Sequence, residues 1–238
     1  MLQVAIIGLG FFGIRMLDEL SEVGSEIIIV DKDAEKIEKY KGKAKASYIS
    51  DVINKEVFVK IIPPYIDTAI VDFDDKLEPA ILTTHYLKQM GIKNIIVQAK
   101  SDTHGELLQI AGATQIVYPA MEAARRITPL LISRQLCSYF QLSSDFVIAE
   151  VEILDELEGK TLLESGIRNQ YGLNVIACRN PGQTEFITIS GPDFVFTKDC
   201  YILVAGNKNS IENYIKKDIK KERGGTKVLL SRFLKKHK

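Results

Sequence analysis

Short apolar runs recur through the first half of the chain, and after each one the apolar residues return at every third or fourth position. Val4, Ile6 and Ile7, then Ile27 to Val30, Thr68 to Phe73 and Ile95 to Ala99, read as strands buried on both faces. Ser47 to Ser50 and Gln115 to Tyr118 read as shorter strands of the same set. Helices are expected between them, from Phe11 onward, over Glu35 to Lys41, Asn54 to Ile61, Lys76 to Met90 and Thr103 to Ala111. Strand and helix in strict alternation predict an α/β fold, a Rossmann-like doubly wound parallel sheet.

Pro119 opens a helical stretch expected to reach about Tyr139. Its apolar face holds Ala123, Ala124, Ile127, Leu130, Leu131 and Leu136, and Pro129 should kink or divide it. This stretch packs either on another subunit or as a lid over the last strand. From Phe146 the period changes: Val147, Ala149, Val151 and Ile153 alternate with polar residues, as in a half-exposed strand. A turn at Glu158-Gly159-Lys160 and a short helix follow, then strands at Asn174 to Cys178, Glu185 to Ile189 and Cys200 to Ala205, and a helix from Ser210 to Lys217. Together these make a small α+β C-terminal lobe. The expected divisions are a nucleotide-binding domain with its crossover helix at 1–136, a connector at 137–145, the lobe at 146–215 and a basic tail at 216–238. The tail suits an anionic lipid surface, a membrane partner's cytoplasmic face, or a solvated segment with no partner.

Charge and cysteine content narrow the class. The 31 basic and 31 acidic residues cancel, which argues against a surface built for nucleic acid. No apolar run is long enough to span a bilayer, and the apolar start lacks the basic leader of a signal peptide. Cys137, Cys178 and Cys200 are odd in number and lack Cys-x-x-Cys spacing, so a reduced cytosolic compartment and buried thiols are expected. His85, His104 and His237 show no metal-ligand spacing, and no metal site is expected.

The candidate chemistry gathers where strands end. Gly8, Gly10 and Gly13 give G-x-G-x-x-G directly after the first strand, with Phe11 and Phe12 between them. That spacing permits a tight turn, close approach of a pyrophosphate, and close packing of a helix whose positive end faces the phosphate. Asp31 closes the second strand about twenty residues on, where a carboxylate can accept ribose hydroxyls, with Lys32 and Asp33 beside it. Carboxylates there disfavour a 2′-phosphate, which favours NAD, ATP, ADP or AMP over NADP. Ser50 and Asp51, at the third strand's end, lie either beside the adenine or ribose or in an Asx turn. Asp72, Phe73, Asp74 and Asp75 either meet the cofactor or cap the next helix, and Lys100 either offsets phosphate charge or is a solvated lysine.

Taken together, these residues resemble the cytosolic RCK-type regulators of Ktr/Trk potassium uptake systems. The resemblance spans residues 1 to about 215. It rests on Gly-Leu-Gly-Phe-Phe-Gly, the Ile-Val-Asp strand end, Val-Tyr-Pro at 117–119 and, in the lobe, Gly159-Lys160-Thr161-Leu162-Leu163, Arg168-Asn169-Gln170-Tyr171-Gly172 and Lys198-Asp199-Cys200. It implies an adenine nucleotide, ATP or ADP before NAD, NADH or AMP, bound at Gly8, Gly10, Phe11, Phe12, Gly13, Asp31, Lys32, Asp33, Ser50, Asp51, Asp72, Phe73, Asp74 and Lys100. It also implies a homo-oligomer, an octameric ring of dimers beneath a membrane-embedded potassium channel subunit, cytoplasmic and held at the membrane by that partner.

Three departures from the family pattern stand out. Phe11 occupies the place of an arginine that contacts phosphate, and Ala120 that of a cation-binding glutamate. Gly166 replaces the aspartate of a cyclic di-AMP pattern otherwise matched by Leu162, Leu163, Arg168, Asn174, Val175 and Ile176. Cyclic di-AMP is therefore a second candidate ligand.

Two other classes share features of this sequence. An NAD-dependent oxidoreductase would show the same turn and Asp31, but no nucleophile–base pair can be assigned and the lobe contains no histidine, so a non-enzymatic regulator is favoured. A redox-sensing transcription factor would need a DNA-reading element, and none is found.

Overall fold

Six parallel strands carry the first of two units. The computed structural model describes residues 2–133 and 135–219, and the two units part between Met121 and Glu122. In chain order the first unit runs β1 Gln3–Ile7, α1 Phe11–Glu22, β2 Glu26–Asp31, α2 Ala34–Tyr40, β3 Ala46–Ile49, α3 Lys55–Ile61 and β4 Thr68–Val71. It continues through α4 Leu77–Gln89, β5 Asn94–Gln98, α5 Asp102–Ala111 and β6 Gln115–Val117. The sheet order is β3-β2-β1-β4-β5-β6, every pairing parallel, so strand order reverses between β1 and β4. A doubly wound sheet opens its ligand crevice at that reversal, beyond the carboxyl ends of the strands.

The apolar runs form strands because both faces of the sheet are covered. Val4, Ile6, Ile27 and Ile29 face the α1–α2 side with Leu17 and Ile37, while Ala5, Ile7, Ile28 and Val30 face Phe58, Leu87 and Leu108 on the other. Helix starts are set locally in three places: Asp33 accepts hydrogen bonds from the Glu35 and Lys36 amides, Asn54 from those of Glu56 and Val57, and Ser101 from that of His104. The expected α/β class is borne out.

The second unit, from Glu122, holds most of α6 Pro119–Ile132, then β7 Leu136–Gln141, β8 Phe146–Glu152, α7 Leu162–Ser165, α8 Ile167–Tyr171 and β9 Asn174–Arg179. β10 Ile187–Thr188, β11 Tyr201–Asn207 and α9 Lys208–Ile219 complete it. Its five strands form an antiparallel sheet in the order β10-β9-β11-β8-β7. Its core gathers Val147, Val151, Phe196, Ile202, Val204 and Tyr214.

One expectation is corrected here. The helix expected to run to Tyr139 ends at Ile132, and Leu136 to Gln141 form an edge strand paired with β8. The spacing of three between Leu136 and Tyr139, both buried, looks helical in sequence. It arises from an irregularity in the ladder between Leu136 and Ser138, which adds a residue and breaks the two-residue alternation. Pro129 lies inside α6 without dividing it. The strand expected at Glu185 to Ile189 shrinks to β10, and the basic tail beyond residue 219 lies outside the described residues.

Candidate functional site

A cleft of about 460 Å³ opens at the carboxyl ends of the strands in the first unit. Gly10, Asp31, Lys32, Asp33, Ser50, Asp51, Asp72, Phe73 and Asp74 line it, so nine sequence candidates meet there. Lys36, Val52, Ile53, Lys76, Leu77, Glu78 and Pro79 also line the wall. Sequence reading had not assigned these seven. Val52 and Ile53 follow an Asx turn in which Asp51 accepts the Ile53 amide, and they supply the apolar surface that a base requires.

The remaining candidates sit elsewhere. Phe11 is 72% exposed, with the Arg15 guanidinium 5.5 Å from its ring centre, and Phe12 packs into the α1 side of the core. Lys100 forms an ion pair with Asp75 and is not among the cleft residues. In the second unit, Leu162 and Val175 pack on the core, while Leu163, Arg168, Asn174 and Ile176 are exposed on α7, α8 and β9. Among the described residues, no group of three or more His, Cys, Asp or Glu is gathered as a metal ion would need.

Buried carboxylates hold the glycine turn in place. Asp31, at the end of β2, accepts the Leu9 amide at 2.6 Å through Oδ2 and the Asp33 amide at 2.8 Å through Oδ1. Asp31 also lines the cleft, and since a carboxylate oxygen accepts more than one donor, a ribose hydroxyl can share it. Asp72, just past β4 and 1% exposed, accepts the Gly13 amide at 2.8 Å and the Asp74 amide at 3.0 Å. Asp74 accepts the Phe11 amide at 3.2 Å. Burial pushes the Asp72 carboxyl above its ordinary range and the charge of Asp74 adds to this, while the amides of Gly13, Asp74 and Phe12 oppose it.

Two of the glycines are needed for the contact with Asp72. Gly8 has φ of +84°, and a Cβ there would meet the Asp72 carbonyl oxygen at 2.1 Å. A Cβ on Gly10 would meet the Asp72 carboxylate at 2.4 Å. The space left by the second glycine is thus filled by the protein's own carboxylate, where sequence reading expected a pyrophosphate. The ribose and base side of the cleft fits an adenosine; the α1 end does not fit a pyrophosphate, because the Leu9, Gly10, Phe11 and Gly13 amides already have acceptors.

Comparison with known proteins identifies the parts. Residues 4–119 match the TrkA-N domain and residues 147–217 the TrkA-C domain. The chain is 31% identical over 215 residues to Ktr system potassium uptake protein C of Bacillus subtilis (strain 168), covering 90% of this chain and 96% of that protein. It is 27% identical over 212 residues to Ktr system potassium uptake protein A of the same organism, covering 89% and 95%. Among solved structures, the GsuK RCK domain superposes with a TM-score of 0.61 at 20% identity, over 98% of this chain and 53% of that one. A GsuK channel bound to NAD gives a TM-score of 0.60 at 19% identity, over 99% and 44%. This chain therefore spans about half the length of those solved chains, and the likeness to them is one of fold.

Proposed function

Because this chain belongs to the TrkA-N/TrkA-C family of Ktr potassium uptake proteins, we propose that it is the cytosolic regulatory subunit of a potassium uptake system, gating its membrane partner in response to an adenosine-containing ligand. The observation that supports this reading is the cleft at the strand-order reversal, whose lining includes Asp31 and Asp51, acceptors suited to a ribose, and Val52 and Ile53, apolar surface suited to a base. In this reading the first unit binds the nucleotide and the second, from Glu122, transmits the response.

No covalent chemistry is required of the protein. A ligand that binds one conformation of the assembly more tightly shifts the population toward it, and tenfold discrimination supplies about 1.4 kcal/mol. The assembly is a homo-oligomer, an octameric ring of dimers on the inner face of the membrane, held there by the channel subunit. The exposed set Leu163, Arg168, Asn174 and Ile176 is the place for cyclic di-AMP if the lobe binds it.

Calorimetric titration of the full chain with ATP, ADP, AMP, NAD, NADH and cyclic di-AMP, with oligomer mass measured in parallel, tests the proposal. Binding without turnover by a high-order oligomer is expected. A monomer or dimer that prefers NADH and oxidises it with a carbonyl substrate would overturn the regulator in favour of an NAD-dependent oxidoreductase.

A further inference from the structure

Resting on the reading of the cleft as an adenosine site, we propose that it selects adenosine carrying at most one phosphate, because Asp72 and Asp74 occupy the backbone amides that a pyrophosphate would need.

Five of the six main-chain amides from Gly8 to Gly13 already have an acceptor within the chain. Gly8 donates to the Val30 carbonyl at 2.8 Å, Leu9 to Asp31 at 2.6 Å and Gly10 to the Asp72 carbonyl at 3.3 Å. Phe11 donates to Asp74 at 3.2 Å and Gly13 to Asp72 at 2.8 Å. The positive end of α1 is therefore neutralised from within, by two carboxylates just beyond β4.

A pyrophosphate would have to displace Asp74 and then lie against Asp72, which is buried and cannot swing out. Among the described residues no arginine lines the cleft: its lining carries six carboxylates and three lysines. Of the lysines, Lys36 is already committed, its Nζ donating to the Leu9 carbonyl at 2.7 Å. Each added phosphate brings like charge toward Asp72 and Asp74 in a partly desolvated site, where repulsion is only weakly screened. The base and ribose side carries no such conflict. Adenosine gains the apolar wall and the Asp31 and Asp51 acceptors, and one 5′-phosphate can extend toward solvent.

Titration of the full chain in magnesium-free buffer with adenosine, AMP, ADP, ATP and NAD tests this, alongside the variants Asp74→Asn and Asp74→Gly. Asparagine keeps an acceptor without the charge. Glycine removes the side chain and accepts the positive φ of 55° at this position. Circular dichroism confirms that both variants remain folded. The wild type is expected to bind adenosine or AMP at least about tenfold more tightly than ADP, ATP or NAD. Both variants should narrow that gap by about tenfold, by tightening the pyrophosphate compounds more than adenosine. Wild-type protein that binds ADP or ATP as tightly as AMP overturns the inference and leaves the nucleotide site standing. The same holds if the ratio does not change in the variants. Absence of binding by every adenine compound to all three proteins overturns the nucleotide site, and the inference with it.

Discussion

The two units satisfy their buried carboxylates in opposite ways. In the second unit, Glu150 meets the Arg179 guanidinium at 2.5 Å, and Glu212 pairs with Lys216. Each charge there faces an opposite charge. In the first unit, Asp31 and Asp72 are equally buried but are held by backbone amides alone. Amide dipoles aimed at a carboxylate are the same groups that hold a bound anion elsewhere, so the first unit carries built-in anions where a ligand's would sit. A carboxylate paired with arginine is a fixture of packing, whereas one held by a helix N-terminus competes with whatever binds there.

The largest effect that would break the contrast is loss of the turn itself. In Gly8→Ala the new Cβ would lie 2.1 Å from the Asp72 carbonyl oxygen and 2.8 Å from the Phe73 ring, at a φ that alanine rarely adopts. Neither neighbour can yield without moving β4, so a loss of about 3 kcal/mol or more is expected. Urea denaturation should show the first unit unfolding early. An unchanged midpoint would mean that the turn does not approach β4 this closely.

A smaller effect tests the charge-paired side. Glu150→Ala leaves Arg179 with the Gln183 carbonyl at 2.8 Å and the Tyr201 ring at 4.4 Å, but without a carboxylate. Removing one member of a buried pair costs up to about 3–5 kcal/mol, and since Arg179 retains these contacts and some exposure, about 2 kcal/mol is expected. The loss should appear in denaturation and leave adenosine affinity within twofold of wild type. Weakened adenosine binding would show that the two units do not divide the work.

Smaller still, and dependent on pH, is Asp72→Asn. Burial raises the Asp72 carboxyl above its ordinary 3.8, so the folded state holds this proton more tightly than the unfolded state does. Asp72 therefore contributes its full stabilisation below about pH 3.8, and part of it is lost as pH rises through the raised folded value. Asparagine cannot titrate, so the variant's stability relative to wild type should improve between about pH 3.5 and neutrality. Parallel pH profiles for the two proteins would show that the amides fully offset the burial.

Much of the first unit was legible because its signals are local. The unbroken apolar runs of β1, β2 and β4 need both faces covered, and Asp31 directly ends its own strand. The capping of α1 was not legible, because Gly13 and Asp72 are 59 residues apart in sequence and meet only once β1 and β4 have paired. The acidic cluster after β4 left a cofactor contact and a helix cap equally open; the helix it caps is α1, not the following α4. β7 was misread for a related reason. Its irregular pairing with β8 moves Leu136 and Tyr139 to a helical spacing, and the partner strand that explains this lies beyond the local pattern.

The smallest effect concerns Lys100, at the end of the segment leading from β5. Its ammonium pairs with Asp75, but the two side chains are 49% and 73% exposed, and neither residue lines the cleft. An exposed pair of this kind contributes between about 0 and 1 kcal/mol, because water screens the attraction and two long side chains lose freedom to make it. Lys100→Ala should therefore shift unfolding by less than about 0.5 kcal/mol and leave the affinity for adenosine, AMP and ADP within twofold of wild type. A tenfold loss confined to the phosphorylated ligands would bring a cation to the α1 end of the cleft. That end would then balance charge against charge, as Glu150 and Arg179 do in the second unit, and the distinction between the units would rest on Asp31 alone.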